Sequence, residues 1–491
     1  MNMRRYSGSP ANGGKAMWAT LAIGACMCSI AVVIANGRAH PLTVILALVL
    51  VVAVMMIRPR NATVRWFRLF LLFSLGIFPL GQLITGDEIY LRLLSQDSLA
   101  VGTWFLASIA GVLVTKVYLD LKSKDLRPWP DVSDRTARAN RIAYLFAAMS
   151  LAALAFMYIK LGGYGAVASA YEDRLEGTGT DYDPFKGLGV IQAFANTSPL
   201  WVFVCLMVRK RSSTILTLLA FAQLFGLGWL ASGVAGSRQG IVFVLVFALF
   251  IYHGFVKPIS ARKAKIVGAV VALTGIVLIP LKLGLGFEDL GKINQRFEEK
   301  RVLQVSMGPI SSFLFRDLSR FDVQTTAIEE IGKPGYELSM GRSFLGAIAS
   351  VIPSALWKGK PDTFAQEKTE IVQDVERGTL KKTTLLFGMP GEFLVNFGLL
   401  GYIVSFVIPG WLLVVLNRVS GKSSRWKALR AVLWPLPFLF FLFDSNVMVY
   451  YVIRWVLLFG IPMGYALSWP RLRYTSPWLA ENRGPLAPTA T

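Results

Sequence analysis

Few residues of this chain can bind a metal ion or form a disulfide. Its 491 residues include three cysteines and two histidines. Every cysteine lies in an apolar run, and Cys26 and Cys28 point to different faces of a helix because they are two residues apart. His40 and His253 are far apart in the chain. These shortages argue against a disulfide framework and a histidine-based zinc or iron site, and we expect no cofactor.

Charged residues are also scarce. They make up 16% of the chain, whereas 54% is hydrophobic and the mean hydropathy is +0.53. Apolar runs of about 17 to 25 residues recur from end to end, which is the length that crosses the hydrocarbon core of a bilayer. We therefore predict an all-α, polytopic integral membrane protein without a separate soluble domain.

The apolar runs predict about twelve transmembrane helices. The first, 16–35, is too long for the apolar part of a signal peptide and lacks a convincing cleavage site, so we expect it to remain as a span. The other predicted spans are 41–57, 66–84, 98–118, 142–159, 188–208, 214–230, 240–256, 264–283, 388–416, 429–443 and 447–468. They divide the chain into an N-terminal bundle of about nine spans (1–283), a large outer loop (284–387), C-terminal spans (388–468) and a tail (469–491).

Lysine and arginine are concentrated in alternate connections between the predicted spans. Basic clusters occur at 58–65, 122–141, 209–211, 257–265, 418–427 and 471–473. With both termini in the cytoplasm, roughly 26 basic residues lie inside and about 6 in the short outer connections, as the positive-inside rule requires. Most of the net charge of +22 is therefore a topology signal that faces anionic lipid head groups, and nucleic acid is not expected as a partner.

Two short outer segments are candidates for ligand binding. The first, 160–187, is rich in glycine, tyrosine and acidic residues, with Arg174 at its centre; it is either a ligand-binding turn region or a plain loop. In the second, 231–240, Arg238 follows Gly-Ser at the start of a span. A guanidinium beside a helix N-terminus suits a phosphate, although an arginine at the end of a span can also snorkel to the interface.

The large outer loop contains a predicted amphipathic helix. The stretch SSFLFRDLSRFDVQTTAIEEI (311–331) aligns apolar residues along one helical face, so we expect it to lie on or dip into the outer surface. Arg316 and Arg320 are four residues apart and share a face of this helix. They could grip a diphosphate or pair with the neighbouring aspartates.

The stretch 341–401 places turn-forming and charged residues just before the predicted span 388–416 and at its start. Arg342 is its second residue, and its apolar part, 346–356, is about eleven residues long, which is too short to cross a bilayer. We predict a re-entrant or interfacial segment there. Proline and glycine then force turns that present Lys358 and Lys360.

Glu392 is a lone acid at the mouth of the next predicted span. An ionisable group in this place is costly unless it is used or paired, so Glu392 is the first candidate for a general base and Asp362 the second. Glu392 could equally be a structural partner of an arginine or an acid matched to the helix dipole. Asp444, between the last two spans, and Arg454, inside the final span, could form a structural or a functional pair.

Two parts of the sequence resemble a known family. The motif GSR before a span, and then G-R-S-F…I-P…L-W-K-G-K-P…P-G-E-F-L-V-N-F-G-L-L-G, is similar to the oligosaccharide repeat-unit polymerases of bacterial surface polysaccharides, the O-antigen polymerase (Wzy-like) family. The resemblance covers 236–240, 341–401 and the plan of about a dozen spans with one large, late periplasmic loop. This family often has arginine after proline where the present chain has Ser354, so that position has no anion-binding role here.

The resemblance implies a multi-pass enzyme of the bacterial inner membrane. It would polymerise undecaprenyl-diphosphate-linked oligosaccharides at the periplasmic face, surrounded by membrane lipids and with a chain-length regulator as an optional partner. The arginine-rich periplasmic loops of the family imply that Arg238, Arg316, Arg320 and Arg342 bind substrate. The lipid diphosphate is a good leaving group, so the reaction requires cations and one carboxylate but no metal.

Two other functions stay open at this point. An O-antigen ligase acts on the same lipid diphosphate with a different acceptor, and the sequence separates it poorly from a polymerase. A transporter or lipid flippase would also have a dozen spans, but such proteins usually contain internal repeats, and we find none in the sequence.

Overall fold

A computed structural model describes most of the predicted membrane region. The described residues are 41–59, 61–85, 98–122, 141–166, 188–207, 214–233, 238–257, 259, 319–352, 356–361, 386–419 and 424–468. The predicted spans 16–35 and 264–283 and the tail 469–491 lie outside them.

The described residues form helices and contain no strand. We number the α-helices α1 (Pro41–Met55), α2 (Ala62–Leu71), α3 (Phe78–Thr85), α4 (Ser98–Leu121), α5 (Arg141–Leu161), α6 (Gly189–Ala195), α7 (Ser198–Met207), α8 (Thr214–Gly228), α9 (Arg238–Ile251), α10 (Phe321–Ile331), α11 (Arg342–Ala349), α12 (Gly388–Ser405), α13 (Val407–Arg418), α14 (Ser424–Leu433), α15 (Leu436–Leu442), α16 (Ser445–Tyr451) and α17 (Ile461–Ser468). Short π-helices continue several of these helices, at Leu72–Ile77, Trp229–Gly233, Tyr252–Val256 and Val452–Gly460.

Six helices among the described residues are long and apolar enough to cross a membrane. They are Ala62–Leu83, Leu99–Leu121, Arg141–Leu161, Gly189–Met207, Thr214–Ala231 and Ser445–Leu467. The pair α12 and α13, bent by 45°, makes a seventh if it counts as one span, and Leu42–Met55 and Phe243–Val256 are shorter apolar helices. The prediction of an all-helical protein with several apolar spans is confirmed, and the total of twelve spans stays a prediction.

Buried apolar side chains form two large clusters. The first is built from α1 to α4, α10, α12 and α13, and the second from α5, α7 to α9, α14, α16 and α17. Helix α15 belongs to both, because Phe441 packs into the first cluster and Leu439 into the second. The turn after α15 therefore lies where the two halves of the bundle meet.

Contacts between helices show which of the connecting segments lie together at each end of the bundle. At one end, Asn61 Nδ2 donates to Asn417 Oδ1 at 3.2 Å, and Lys116 lies with both residues around a small cavity. At the other end, Glu392 contacts Ser445. The first end holds connections predicted to be cytoplasmic, and the second holds segments predicted to lie outside. The direction in which the chain crosses the membrane stays a prediction.

The predicted surface helix in the outer loop packs inside the bundle instead. Phe321, the first residue of α10, is fully buried, and its ring centroid lies 4.8 Å from that of Trp104 in an edge-to-face contact. Gln324 and Thr325 are buried as well. The expectation of a helix lying on the outer surface was therefore wrong for these residues. Amphipathic spacing shows that one face is covered, but it does not show whether lipid or protein covers it.

One glycine of α4 allows the ring of Phe406 to pack closely against this helix in the first cluster. A Cβ atom at Gly111 would lie 2.6 Å from the ring of Phe406, so Gly111→Ala should cost about 1 to 3 kcal/mol through overpacking. Gly226 in α8 is the matched control, because no atom lies within 4 Å of its Cβ position. Thermal unfolding in detergent should show a lower midpoint for Gly111→Ala and an equal or higher one for Gly226→Ala. Equal midpoints for the two variants would contradict this packing.

Candidate functional site

A buried carboxylate joins three helices at the end of the bundle that is predicted to lie outside. Glu392 on α12 has 0% of its surface exposed. Its Oε1 accepts hydrogen bonds from the hydroxyls of Ser343 and Ser445, each at 2.6 Å, and its Oε2 accepts one from the backbone N–H of Ser445 at 2.6 Å. Such short distances are typical of a hydroxyl that donates to an ionised carboxylate. Glu392 therefore ties α11 and α16 to α12.

Asn396, one turn after Glu392, determines which way the Ser343 hydroxyl donates its proton. Its Nδ2 donates to Ser343 Oγ at 2.7 Å and to the Glu392 carbonyl at 2.8 Å, and its Oδ1 accepts from the N–H of Gly341 at 2.7 Å. The Ser343 hydroxyl thus accepts from Asn396 and donates its only proton to Glu392. Every polar atom of the Asn396 amide is paired.

A break in α12 allows the preceding loop to dock on this helix. Gly398 has φ +68° and ψ −165°, which interrupts the helical backbone. The carbonyl oxygens of Val395 and Asn396, just before the break, accept hydrogen bonds from the N–H groups of Ser339 and Met340 at 3.2 and 3.1 Å. These hydrogen bonds hold the loop 339–341 against α12. As a result, Ser343, two residues after the loop, lies within hydrogen-bonding distance of Glu392. Irregular backbone of this kind is tolerated in membrane proteins where protein buries it or where it lines a cavity.

A second buried acid, Asp444, caps the start of α12. Its Oδ1 accepts from the N–H groups of Phe387 and Gly388 at 2.9 and 3.0 Å, which places negative charge at the positive end of the helix dipole. Gly388 has φ +70°, and a Cβ atom there would lie 2.3 Å from the carbonyl oxygen of Phe441. This close approach of α12 to the end of α15 therefore requires glycine.

Arg320 lies beside the same turn. Its Nε donates to the carbonyl of Leu442 at 3.2 Å, and its Cγ is 3.6 Å from the Cβ position of Gly388, the residue whose N–H binds Asp444. A cation thus lies beside the turn that Asp444 caps. Arg320 was selected from the sequence for diphosphate binding, and the structure places it against the carboxylate network.

Gln324 on α10 extends the polar network toward α4. Its Nε2 donates to the carbonyl of Phe387 at 2.6 Å, and its Oε1 accepts from Trp104 Nε1 at 2.8 Å and from the Tyr402 hydroxyl at 3.3 Å. The buried position of α10 is therefore explained by polar contacts as well as by its apolar face.

Helix α11 presents opposite faces to protein and to the surroundings. Leu345 and Ile348 are 52% and 60% exposed, whereas Ser343, Gly346 and Ala347 are buried against the bundle. An exposed apolar face on a short helix is what an interfacial segment presents to lipid, as predicted for this region. This face lies directly outside the Glu392 network.

Cations lie at both ends of this short helix. Arg342, its first residue, is exposed and adjacent to Ser343. Lys358 is exposed on the turn that follows, and Lys360 donates from Nζ to the carbonyl of Ile352 at 3.1 Å. Exposed apolar and cationic side chains therefore occur close together in sequence, from Arg342 to Lys358.

The structure brings together part of the predicted site. Glu392, Arg320 and Arg342 lie on elements that meet at the network. Arg174, Arg316 and Asp362 lie outside the described residues, and α9 begins at Arg238, whose side chain is likewise not described.

Sequence reasoning missed the partners of Glu392. Asn396 could have been predicted as a neighbour of Glu392, because it follows Glu392 by four residues and so lies on the same face of the helix. Ser343 and Ser445 are distant in sequence, and serine is too common to indicate a site. Only the packing of α11 and α16 on α12 brings these hydroxyls to the carboxylate.

Comparisons with known protein families, with curated proteins and with solved structures gave no match for this chain. The family resemblance of the two motifs therefore stays a prediction, and the site has to be interpreted from its own geometry.

Asn396 should stabilise the docked loop. Asn396→Ala leaves the Gly341 N–H without its acceptor and removes the hydrogen bond donated to Ser343 Oγ, which should cost about 1 to 3 kcal/mol. Asn417→Ala is the control, because it removes a half-buried hydrogen bond at the other end of the bundle and should cost about 0.5 to 1.5 kcal/mol. Thermal unfolding in detergent measures both. A smaller loss of stability for Asn396→Ala than for Asn417→Ala would show that the loop is not held by this amide.

Proposed function

We propose that this chain is a metal-independent glycosyltransferase of the bacterial inner membrane. It polymerises undecaprenyl-diphosphate-linked oligosaccharide repeat units into surface polysaccharide at the periplasmic face. The observation that supports this best is the position of the Glu392 carboxylate, which is bonded to a helix with an apolar outer face and cations at both ends. Such a surface is complementary to an amphiphilic substrate with an anionic head.

The outer surface of α11 suits a lipid-linked diphosphate in two respects. Leu345 and Ile348 offer an apolar contact for the polyprenyl chain, and Arg342 offers a guanidinium fork for phosphate oxygens. Lys358 adds a point charge on the following turn. As the bond to the diphosphate breaks, these cations stabilise the negative charge that develops on the leaving group.

The Glu392 network can remove a proton from the acceptor. The acceptor hydroxyl attacks the anomeric carbon, the bond from that carbon to the diphosphate breaks, and its electron pair leaves with the lipid diphosphate. The Ser343 hydroxyl has a second lone pair, so it can take the acceptor proton while it passes its own proton to Glu392. The two hydrogen bonds from Ser445 keep the carboxylate in place for this transfer.

A charge-removing substitution tests the role of Glu392. Glu392→Gln keeps the size of the side chain but removes the proton acceptor, so it should reduce polymer formation by a factor of about 100 or more while binding of the lipid diphosphate persists. Glu330→Gln on α10 is the matched control and should leave chain length unchanged, because Glu330 is paired with Lys333 near the surface.

Polymer length on a gel, protein level and binding of undecaprenyl diphosphate are measured for both variants. Normal polymer from Glu392→Gln at a normal protein level would remove Glu392 from the reaction and leave Asp362 as the candidate base.

Deletion of the gene tests the function itself. We expect long surface polysaccharide to disappear from gels, while mass spectrometry of lipid-linked glycans shows single repeat units on the carrier or at the surface. Long chains retained on the lipid carrier would indicate a ligase instead. An unchanged glycan profile would overturn the glycosyltransferase proposal.

A further inference from the structure

A small polar cavity lies at the end of the bundle opposite the Glu392 network. It is formed just after α1, at the start of α2 and near the ends of α4 and α13. Its polar lining residues are Arg58, Asn61, Lys116, Asp120 and Asn417. The cavity has a volume of about 20 Å³, which is room for about one water-sized group. Connections predicted to be cytoplasmic lie at this end, so we expect the cavity to open at the inner surface of the membrane.

The two asparagines of the cavity are oriented by a chain of hydrogen bonds. Asn61 caps α2, and its Oδ1 accepts from the backbone N–H of Val64 at 2.9 Å. Its Nδ2 is therefore the group that donates to Asn417 Oδ1, at 3.2 Å. The Nδ2 group of Asn417 remains, and it has no acceptor among the described residues. Asn417 thus contributes an unpaired donor to the cavity lining.

The charged residues of the lining also have donors to spare. Lys116 Nζ lies 3.2 Å from Asp120 Oδ2, so the carboxylate that lines the cavity is already paired. Arg58 is exposed, and it makes no ion pair within the described part of the chain. Two cations and one carboxylate give the lining a net charge of +1. Unused donors and positive charge are complementary to an anion and unfavourable to a metal cation.

Other roles explain the cations of the cavity but not its amide. Lysine and arginine near the C-terminal ends of α1 and α4 offset the negative ends of those helix dipoles, and they can snorkel to the interface. Neither role provides an acceptor for the half-buried Asn417. A water molecule would pair with this amide but would leave the net positive charge unbalanced. An anionic oxygen of similar size does both.

Exposed apolar side chains adjoin the cavity. Met56 is exposed and precedes Arg58 by two residues. Val117 is exposed and follows Lys116 directly. In a bilayer such side chains contact acyl chains, so a phospholipid with its head group at the cavity could place its tails beside them. Basic pockets between spans on the cytoplasmic side are typical binding sites for anionic lipid head groups.

We infer that this cavity binds the phosphate group of an anionic membrane phospholipid. One phosphate oxygen enters the cavity and accepts from Asn417 Nδ2 and Lys116 Nζ. The rest of the phosphate lies at the opening, where Arg58 supplies a guanidinium fork. Free phosphate has the same chemistry, and the experiment has to separate the two sources. The site is at the opposite end of the bundle from Glu392, so it does not depend on the proposed function.

The test measures binding to the full-length protein in detergent. Native mass spectrometry gives the Kd for phosphatidylglycerol and for diacylglycerol, which has the same acyl chains but no phosphate, and calorimetry gives the Kd for inorganic phosphate. Asn417→Asp is the principal variant, because its carboxylate can still accept from Asn61 but replaces the unpaired donor with a second anionic oxygen. It should raise the Kd for phosphatidylglycerol at least about tenfold.

Arg58→Gln is a second variant, at an exposed position where the fold tolerates the change. It removes the guanidinium at the opening and should raise the Kd for phosphatidylglycerol about threefold, a smaller effect because exposed charges are screened. Arg141→Gln is the matched control, since Arg141 is an exposed arginine at the start of α5 that does not line the cavity. It should bind phosphatidylglycerol like the wild type.

Weaker binding of phosphatidylglycerol by Asn417→Asp and Arg58→Gln, with diacylglycerol and the Arg141→Gln control unaffected, supports the site. An equal Kd for phosphatidylglycerol in the wild type and both variants would overturn it. Equal losses for phosphatidylglycerol and diacylglycerol would also overturn it, because acyl chains rather than phosphate would then be recognised. An effect on inorganic phosphate alone would reject the lipid and assign the cavity to a soluble phosphate compound.

Discussion

The end of the bundle that is predicted to lie outside depends on one buried carboxylate. Glu392 has no exposed surface, and its carboxyl group accepts three short hydrogen bonds from two serines that belong to different helices. Removing the partners of a buried charge costs roughly 3 to 5 kcal/mol, so the carboxylate, α11 and α16 have to assemble together. The same interaction that stabilises the arrangement also keeps a proton acceptor beside the outer surface, with Ser343 between the two.

Helices of the bundle are interrupted at the places where polar groups are buried. The break at Gly398 leaves carbonyl groups that accept from the loop 339–341, and Gly388 permits the approach of α15 that lets Asp444 cap α12. A shorter irregularity separates α6, which ends at Ala195, from α7, which begins at Ser198. In an apolar environment a regular helix satisfies its own backbone and offers little to a ligand, whereas a break provides polar groups that need partners. The candidate site therefore lies at such an interruption of regular helix.

Part of the site could be predicted from the sequence because charged residues are rare within apolar runs and are therefore easy to recognise. Glu392 and Arg454 stand out as charges within apolar runs, and Arg342 stands out beside a turn at the mouth of a span. Ser343 and Ser445 could not be recognised in this way, because a serine is inexpensive in any environment and its role depends on what packs against it. The helix α10 shows the same limit, since its spacing predicted one covered face and the partner turned out to be the α4 and α12 helices rather than lipid.

The sequence by itself determined the all-helical membrane class, the approximate bounds of the apolar spans and the unequal distribution of positive charge, because all three follow from the cost of placing polar groups in hydrocarbon. The tertiary structure decided which polar groups meet. Glu392 is joined to Ser343 and Ser445 across 49 and 53 residues of chain. Contacts over such separations depend on how helices pack, and the apolar pattern along a span carries little information about its neighbours.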